Sequence, residues 1–323
     1  MSRNASETRQ RNGTEEAVTD ESPVDTSGSE TASELSGEDL VLRYPSTEEP
    51  VIDGEGLVAT PGAVTALVGP NGSGKSTLLK GLAKQLAPDD GSVLLDGRDV
   101  HSMGTKELAR TLGLLSQEST SPESITVEDL VYHGRYPHRG FFETVTEEDV
   151  DAVDRAIELA GCGHLREREV GSLSGGQKQL AWVAMVLAQD TDVLLLDEPT
   201  TFLDLHHQLE VMEIVETLRD ESDITVVVVL HDIEQAARLA DEMVALKEGA
   251  IQARGTPEEV VTEELLAEVF EIDAEVELTE RGPRVTPLRP RHDDSEATQE
   301  KYDDARVTQN EADTPQAEAS EAE

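Results

Sequence analysis

Eight consecutive residues, Gly69-Pro70-Asn71-Gly72-Ser73-Gly74-Lys75-Ser76, satisfy the G-x-x-x-x-G-K-[ST] phosphate-binding pattern at every fixed position. Glycines let backbone N–H groups converge on phosphate oxygens with no Cβ in the way. Lys75 adds a full positive charge, and Ser76 offers a hydroxyl suited to Mg²⁺. The pattern requires a strand before it and a helix after it, whose N-terminus favours anions. The apolar run over 63–68 supplies the strand. Thr77 opens a segment over 77–83 whose apolar residues share one helical face. A glycine turn that carries a lysine by chance would lack this frame.

Two further stretches complement the phosphate loop. Four apolar residues over 193–196 lead into Asp197, Glu198, Pro199 and Thr200. This places two acids at the C-terminal edge of a buried strand, where α/β sheets bind ligands. Asp197 is suited to help hold Mg²⁺, through water or through Ser76. Glu198 is suited to accept the proton of an attacking water, or to orient it. A strand that ends in a solvated acidic turn is the plain alternative, and the phosphate loop in the same chain argues against it. The second stretch is Leu173-Ser174-Gly175-Gly176-Gln177. Ser174 as a helix cap followed by two glycines exposes backbone N–H groups, which makes a second anion site or an ordinary glycine-rich cap. One phosphate chain hardly needs two such sites in one subunit. A head-to-tail dimer resolves this, each subunit offering its serine-glycine site to the nucleotide in the other's loop.

The elements that must position these residues alternate between strand and helix. Strands are predicted near 40–44, 51–57, 92–95, 111–115, 192–196 and 224–229, and residues 243–247 pair with 250–254 across Glu248-Gly249. Thr126-Val127-Glu128-Asp129 and Thr146-Glu147-Glu148-Asp149 look like capping boxes. The second opens a helix with Val150, Val153, Ile157 and Ala160 on one face. The stretch 180–188 is apolar all round and reads as a buried helix. Thr256-Pro257-Glu258-Glu259 starts another helix. Repeated βαβ units with apolar strands define an α/β protein with a mainly parallel sheet covered on both faces, interrupted by a helical insertion at about 118–185. Residues 134–138, Gly-Arg-Tyr-Pro-His, read as an insertion loop dense in groups suited to protein contact.

Both ends of the 323-residue chain differ from its middle. Residues 1–39 carry ten acids and three bases, and residues 291–323 carry eleven acids and three bases. Neither has periodic apolar residues, so both are expected to be disordered tails. The net charge is −43; removing −7 and −8 for the ends leaves −28 on residues 40–290, so the acidity belongs to the folded part too. Only seven of the 26 basic residues are lysines. Such a surface resembles proteins of salt-loving archaea. Salt at ~1 M shrinks the Debye length to ~3 Å and quenches self-repulsion, whereas dilute buffer leaves that repulsion acting on the compact state. Dialysis to low salt is therefore expected to erode the helical circular dichroism signal, and an unchanged spectrum would refute the argument. Nucleic acid is excluded as a partner by this field. The single cysteine, Cys162, rules out an intramolecular disulfide, fits a reducing compartment and has no metal-ligand spacing around it. The N-terminus lacks a signal pattern, and the longest apolar stretch, 180–188, is far short of the ~20 residues that span a bilayer.

The order of these motifs resembles the ATP-binding cassette ATPases over about residues 38–275, with residues 1–37 and 276–323 as an acidic tail and a short extension with its tail. The resemblance implies a P-loop NTPase fold with an N-terminal antiparallel β subdomain and an inserted helical subdomain. It implies ATP and Mg²⁺ as cofactors, with Gly69 to Thr77 cradling the phosphates and Ser76, Gln117 and Asp197 serving the metal. It assigns catalytic roles to Glu198, His231 and Gln117. Tyr44, 31 residues before Lys75, matches the aromatic that stacks on adenine, a core tyrosine being the alternative. Ser174, Gly175, Gly176 and Gln177 match the signature, and Asp204, after Phe202-Leu203, matches the residue that bridges to the opposite subunit. His206 and His207 resemble a family helix start and receive no chemistry. The implied assembly is a homodimer of ATPase subunits on two integral-membrane permease subunits, engaging a substrate-binding protein indirectly, at the cytoplasmic face of the membrane.

Residues 134–138, Ala188-Gln189, residues 200–204 and residues 229–232 are similar to importers of metal chelates: iron–siderophore, haem and cobalamin. An exporter ATPase of similar size is the strongest rival. A soluble cassette ATPase of DNA repair or the ribosome typically has a long coiled coil or two cassettes, and this chain has one phosphate loop and no sustained heptads. A regulatory module without turnover is opposed by an intact Glu198 and His231.

Overall fold

In the computed structural model, which describes residues 32–117, 122–140 and 143–291, the first two strands form ahead of the phosphate loop. They are β1 (Leu35–Leu42) and β2 (Ile52–Ala59), paired antiparallel. After β3 (Val64–Val68) and α1 (Lys75–Leu82) come β4 (Asp90–Leu95) and β5 (Arg98–Asp99). These complete a four-stranded antiparallel sheet in the order β2-β1-β4-β5. Next follow α2 (Thr105–Thr111) and β6 (Leu112–Leu115). The insertion then contributes α3 (Val127–His133), α4 (Glu147–Leu159) and α5 (Gly175–Leu187). Alternation resumes with β7 (Val193–Asp197), α6 (Leu205–Glu221), β8 (Thr225–Val229) and α7 (Ile233–Leu239). The chain continues through β9 (Glu242–Lys247), β10 (Ala250–Gly255), α8 (Pro257–Val260), α9 (Glu263–Val269), β11 (Ile272–Thr279) and β12 (Gly282–Pro290).

The main sheet runs β10-β9-β3-β8-β7-β6, parallel throughout except for β9 with β10. Every residue of β3, β7 and β8 is buried, as expected for strands covered on both faces. Alternate residues divide between two cores. Val64, Ala66, Leu194, Leu196, Val226 and Val228 join the packing of the insertion and of α5 to α7. Leu67, Val193, Leu195, Val227 and Val229 join α1 and the antiparallel sheet. The period-2 alternation sends successive residues of each strand to opposite cores.

The predicted capping boxes are formed. The Thr126 and Thr146 hydroxyls accept from Asp129 N–H at 3.1 Å and from Asp149 N–H at 3.2 Å. The buried stripe of α4, however, is rotated: Asp149, Ala152, Val153, Ala156 and Ile157 are buried, whereas Val150 is half-exposed. The cause lies in the 134–138 loop. Arg135, expected among groups for protein contact, is 1% exposed. Its Nε donates to Asp149 Oδ1 at 3.0 Å and its Nη1 to the Ala188 carbonyl at 2.9 Å. Only Tyr136 of this loop is strongly exposed.

Three boundaries differ from the sequence expectation. β1 begins at Leu35, inside the segment assigned to the first tail, because Leu35 pairs with both Ala59 and Leu95. Residues 105–111, for which the sequence pattern gives no element before the strand at 111, form α2. The extension after 275 is largely the hairpin β11–β12, which packs on α7 and α9 and is fastened by Val285 N–H to Glu234 Oε1 at 2.7 Å. Residues 1–31 and 292–323, which hold most of the expected tails, lie outside the described residues.

Candidate functional site

The phosphate loop closes on its own lysine. Lys75, 4% exposed, donates from Nζ to the Gly69 and Pro70 carbonyls at 2.9 Å each. Burial pushes its ammonium below the ordinary lysine value, with the Glu198 and Asp197 carboxylates pulling the other way. The loop's first glycine is obligatory, since Gly69 adopts φ +148° and a Cβ there would stand 2.2 Å from the Leu246 carbonyl oxygen.

The acids at the end of β7 meet this loop. Ser76 Oγ donates to Asp197 Oδ1 at 2.7 Å. Burial raises the Asp197 carboxyl above its usual range, an effect the Ser76 hydrogen bond opposes. Glu198 follows in the left-handed region at φ +52°, a conformation costing a non-glycine residue roughly 1–3 kcal/mol. That turn aims its carboxylate into a ring of donors. Gln117 Nε2 reaches Oε2 at 2.7 Å, Thr201 Oγ1 reaches the same oxygen at 3.1 Å, and His231 Nε2 lies 2.7 Å from Oε1. With a carboxylate as acceptor, His231 carries its proton on Nε2.

Lys75, Ser76, Gln117, Glu198, Thr201 and His231 line a cleft of about 840 Å³ with Tyr44, Val51, Asn71, Gly72, Gly74, Thr77 and Phe202, and Asp197 reaches it through Ser76. The Tyr44 hydroxyl lies 3.3 Å from Thr77 Oγ1, and Lys80 Nζ sits 6.0 Å from the ring centroid, so the tyrosine faces the cleft wall and not the core. Residues 69–77, Gln117, Asp197, Glu198 and His231, drawn from four separate stretches, thus converge at the C-terminal edge of the parallel strands.

Ser174, Gly175, Gly176, Gln177 and Asp204 do not line this cleft. Ser174 caps α5, with Oγ accepting from Gln177 N–H and Gln177 Oε1 accepting from Ser174 N–H, both at 3.3 Å. Asp204 caps α6. Phe202, 97% exposed at φ +63°, lies beside it with Leu205 and Leu209, both exposed.

Sequence reasoning assigned no role to two residues that the structure engages, Thr201 at the cleft and His207 outside it. Thr201 sits in the run 200–204, read only as a subgroup feature. His207 carries the second ring of an adjacent pair, and nothing in its spacing marks it. Cys162 is buried with its thiol pushed up to about 11 by desolvation, in keeping with a structural role.

A phosphate loop after β3 facing an acid pair at the end of β7, with β8 between them in the same parallel sheet, defines a P-loop nucleotide hydrolase. The comparisons narrow this. Residues 56–201 match the family model described as ABC transporter. The chain is 45% identical over 241 residues to the ferric enterobactin transport ATP-binding protein FepC of Escherichia coli, covering 75% of this chain and 88% of that one. Among solved structures, a metal-chelate type ABC transporter in an inward-facing conformation matches at 28% identity and TM-score 0.67, over 80% of this chain and 98% of that one. The dimeric ATP-binding cassette MJ0796 bound to ADP and phosphate matches at 26% identity and TM-score 0.61, over 69% of this chain and 98% of that one. The chain belongs to the ABC transporter ATP-binding family and is an ATPase.

Proposed function

We propose that this chain is the ATP-hydrolysing subunit of an importer for a metal chelate, acting as a head-to-tail homodimer. One observation carries the dimer: the anion-binding groups are divided. Lys75 and the glycine loop line the cleft, while Ser174, Gly175, Gly176, Gln177 and Asp204 are presented elsewhere. In a head-to-tail dimer the second copy's Ser174 cap would face the γ-phosphate held by Lys75. The exposed Phe202, Leu205 and Leu209 then find cover in that interface. The dimeric cassette among its structural neighbours supports a dimer.

Within each composite site, Tyr44 stacks on adenine and residues 69–77 hold the phosphates. Mg²⁺ fits the donors present. Ser76 and Asp197 offer hard oxygens, and the Asp197 carboxyl, penalised by burial, gains most from a cation beside it. Among the described residues no cluster of three or more acidic, histidine or cysteine side chains forms a complete cage, which suits an ion that keeps phosphate and water ligands. When bound, Mg²⁺ supplies charge neutralisation at the phosphate oxygens. Glu198 takes the proton of the attacking water, His231 steadies Glu198 and reaches the γ-phosphate, and Gln117 links the site to the insertion that contacts the permease.

No helix among the described residues is long and apolar enough to cross a membrane. The likeness to a transport ATP-binding protein and to an ABC transporter supports placing the chain at the cytoplasmic face, attached to two permease subunits. The likeness to FepC and to a metal-chelate type transporter supports the cargo class. Solubilising membranes in strong salt and capturing the tagged full-length chain is expected to recover a multi-span permease and, with it, a substrate-binding protein. Recovery of neither would remove the transport reading.

A further inference from the structure

His207 stands on the first turn of α6, and one imidazole touches both features presented outside the cleft. Its Nδ1 lies 2.8 Å from Asp204 Oδ1, the oxygen that also accepts from the His207 backbone N–H at 3.1 Å. A carboxylate acceptor places the proton on Nδ1. These two bonds hold the Asp204 carboxyl below the usual carboxylate range. The ring is only 20% exposed because it also lies against the signature segment. A Cβ on Gly176 would stand 2.4 Å from His207 Cγ and 2.5 Å from Cδ2, so any larger residue would be driven into the ring.

An aspartate cap needs only the backbone N–H to end a helix. The added imidazole bond does something more, because it leaves the Asp204 side chain one orientation. Contact with Gly176 sets the distance between the Asp204 turn and the N-terminus of α5, where Ser174 and Gly175 stand exposed. We propose that His207 is a positioning residue for the composite ATP site. It locks Asp204 to the signature segment of its own subunit, so that both meet the partner's nucleotide as one rigid surface. This rests on the head-to-tail reading given above. His207 neither touches the nucleotide of its own subunit nor lines its cleft, so its effect falls on the sealing of the site and not on the first capture of ATP.

The test uses the full-length chain in strong salt with Glu198→Gln as the parent, so that ATP persists. Two quantities are measured: ATP affinity of the dilute monomer by equilibrium binding, and ATP-driven dimerisation by sedimentation velocity. His207→Ala is expected to leave monomer affinity within about twofold and to weaken dimerisation by about tenfold, the scale of one hydrogen bond to a charged group. His207→Asn keeps a donor near the position of Nδ1 and is expected to recover most of that loss. A histidine that merely supported the fold would lower both quantities together, which overturns the proposal. Dimerisation of His207→Ala at the parent's strength, or no recovery in His207→Asn, overturns it too. Ser174→Arg in the same parent separates the two levels. If it abolishes the dimer and His207→Ala dimerises at the parent's strength, the shared site stands and the role of His207 falls. A parent that stays monomeric at saturating ATP, or a Ser174→Arg chain that dimerises like it, removes the head-to-tail reading itself.

Discussion

Glu198→Gln is expected to lower kcat for ATP hydrolysis by about 10²–10⁴-fold, the usual contribution of a positioned general base, while ATP stays bound. The two halves of this result follow from different parts of the side chain's surroundings. Glutamine has nearly the shape of glutamate, so an oxygen can still accept from Gln117 and Thr201, now at 2.7 and 3.1 Å from Glu198 Oε2. The strained turn at φ +52° keeps the same backbone. The amide, however, cannot take a proton from water, and it presents N–H groups to His231 Nε2, which now sits 2.7 Å from a carboxylate oxygen. Binding, which depends on Lys75 and the glycine loop, survives, and proton acceptance does not. Phosphate release and retained nucleotide, measured on the same sample, check both halves. A variant that turns over at the wild-type rate would move the base elsewhere.

Arg135→Met should lower the free energy of unfolding by about 3–5 kcal/mol, as breaking one partner of a buried ion pair does. Arg135 and Asp149 are 1% and 2% exposed. Burial pushes the Asp149 carboxyl upward, but the hydrogen bond from Thr146 N–H, the Arg135 guanidinium and the Thr146 side chain together hold it below the usual carboxylate range. Methionine removes the guanidinium and leaves a carboxylate with no cation beside it except Arg139, whose Nε is 3.9 Å away. Because the folded-state value is depressed, the pair's contribution is present at neutral pH and is lost in acid, as pH falls through the ordinary carboxylate range and below it. Denaturant unfolding in strong salt at neutral pH and again in acid should therefore show a large gap between wild type and variant that narrows in acid. A neutral-pH difference under about 1 kcal/mol would mean the pair behaves as a surface contact.

Much of the cleft was legible because its residues sit at strand ends, where order along the chain converts directly into place. Lys75, Asp197 and His231 each follow an apolar run, and parallel pairing of β3, β8 and β7 brings those ends to one edge. Side chains whose meaning lies in what crosses from another element were not legible in the same way. Arg135 looked like a surface group because its loop is polar, and its burial depends on Asp149 and Ala188, 14 and 53 residues away. His207 lies three residues after Asp204, but its contact across space is Gly176, a residue with no side chain to announce it. Helix α2 is a single seven-residue stretch with one buried residue, too short for periodicity to register. The hairpin β11–β12 carries charges and prolines along its outer positions, so its pattern blends into the acidic sequence that follows.

Lys75 is held by two carbonyl oxygens of its own loop. The same short segment therefore carries both the cation and the brace that aims it, so a substitution anywhere along that turn is felt at the ammonium group.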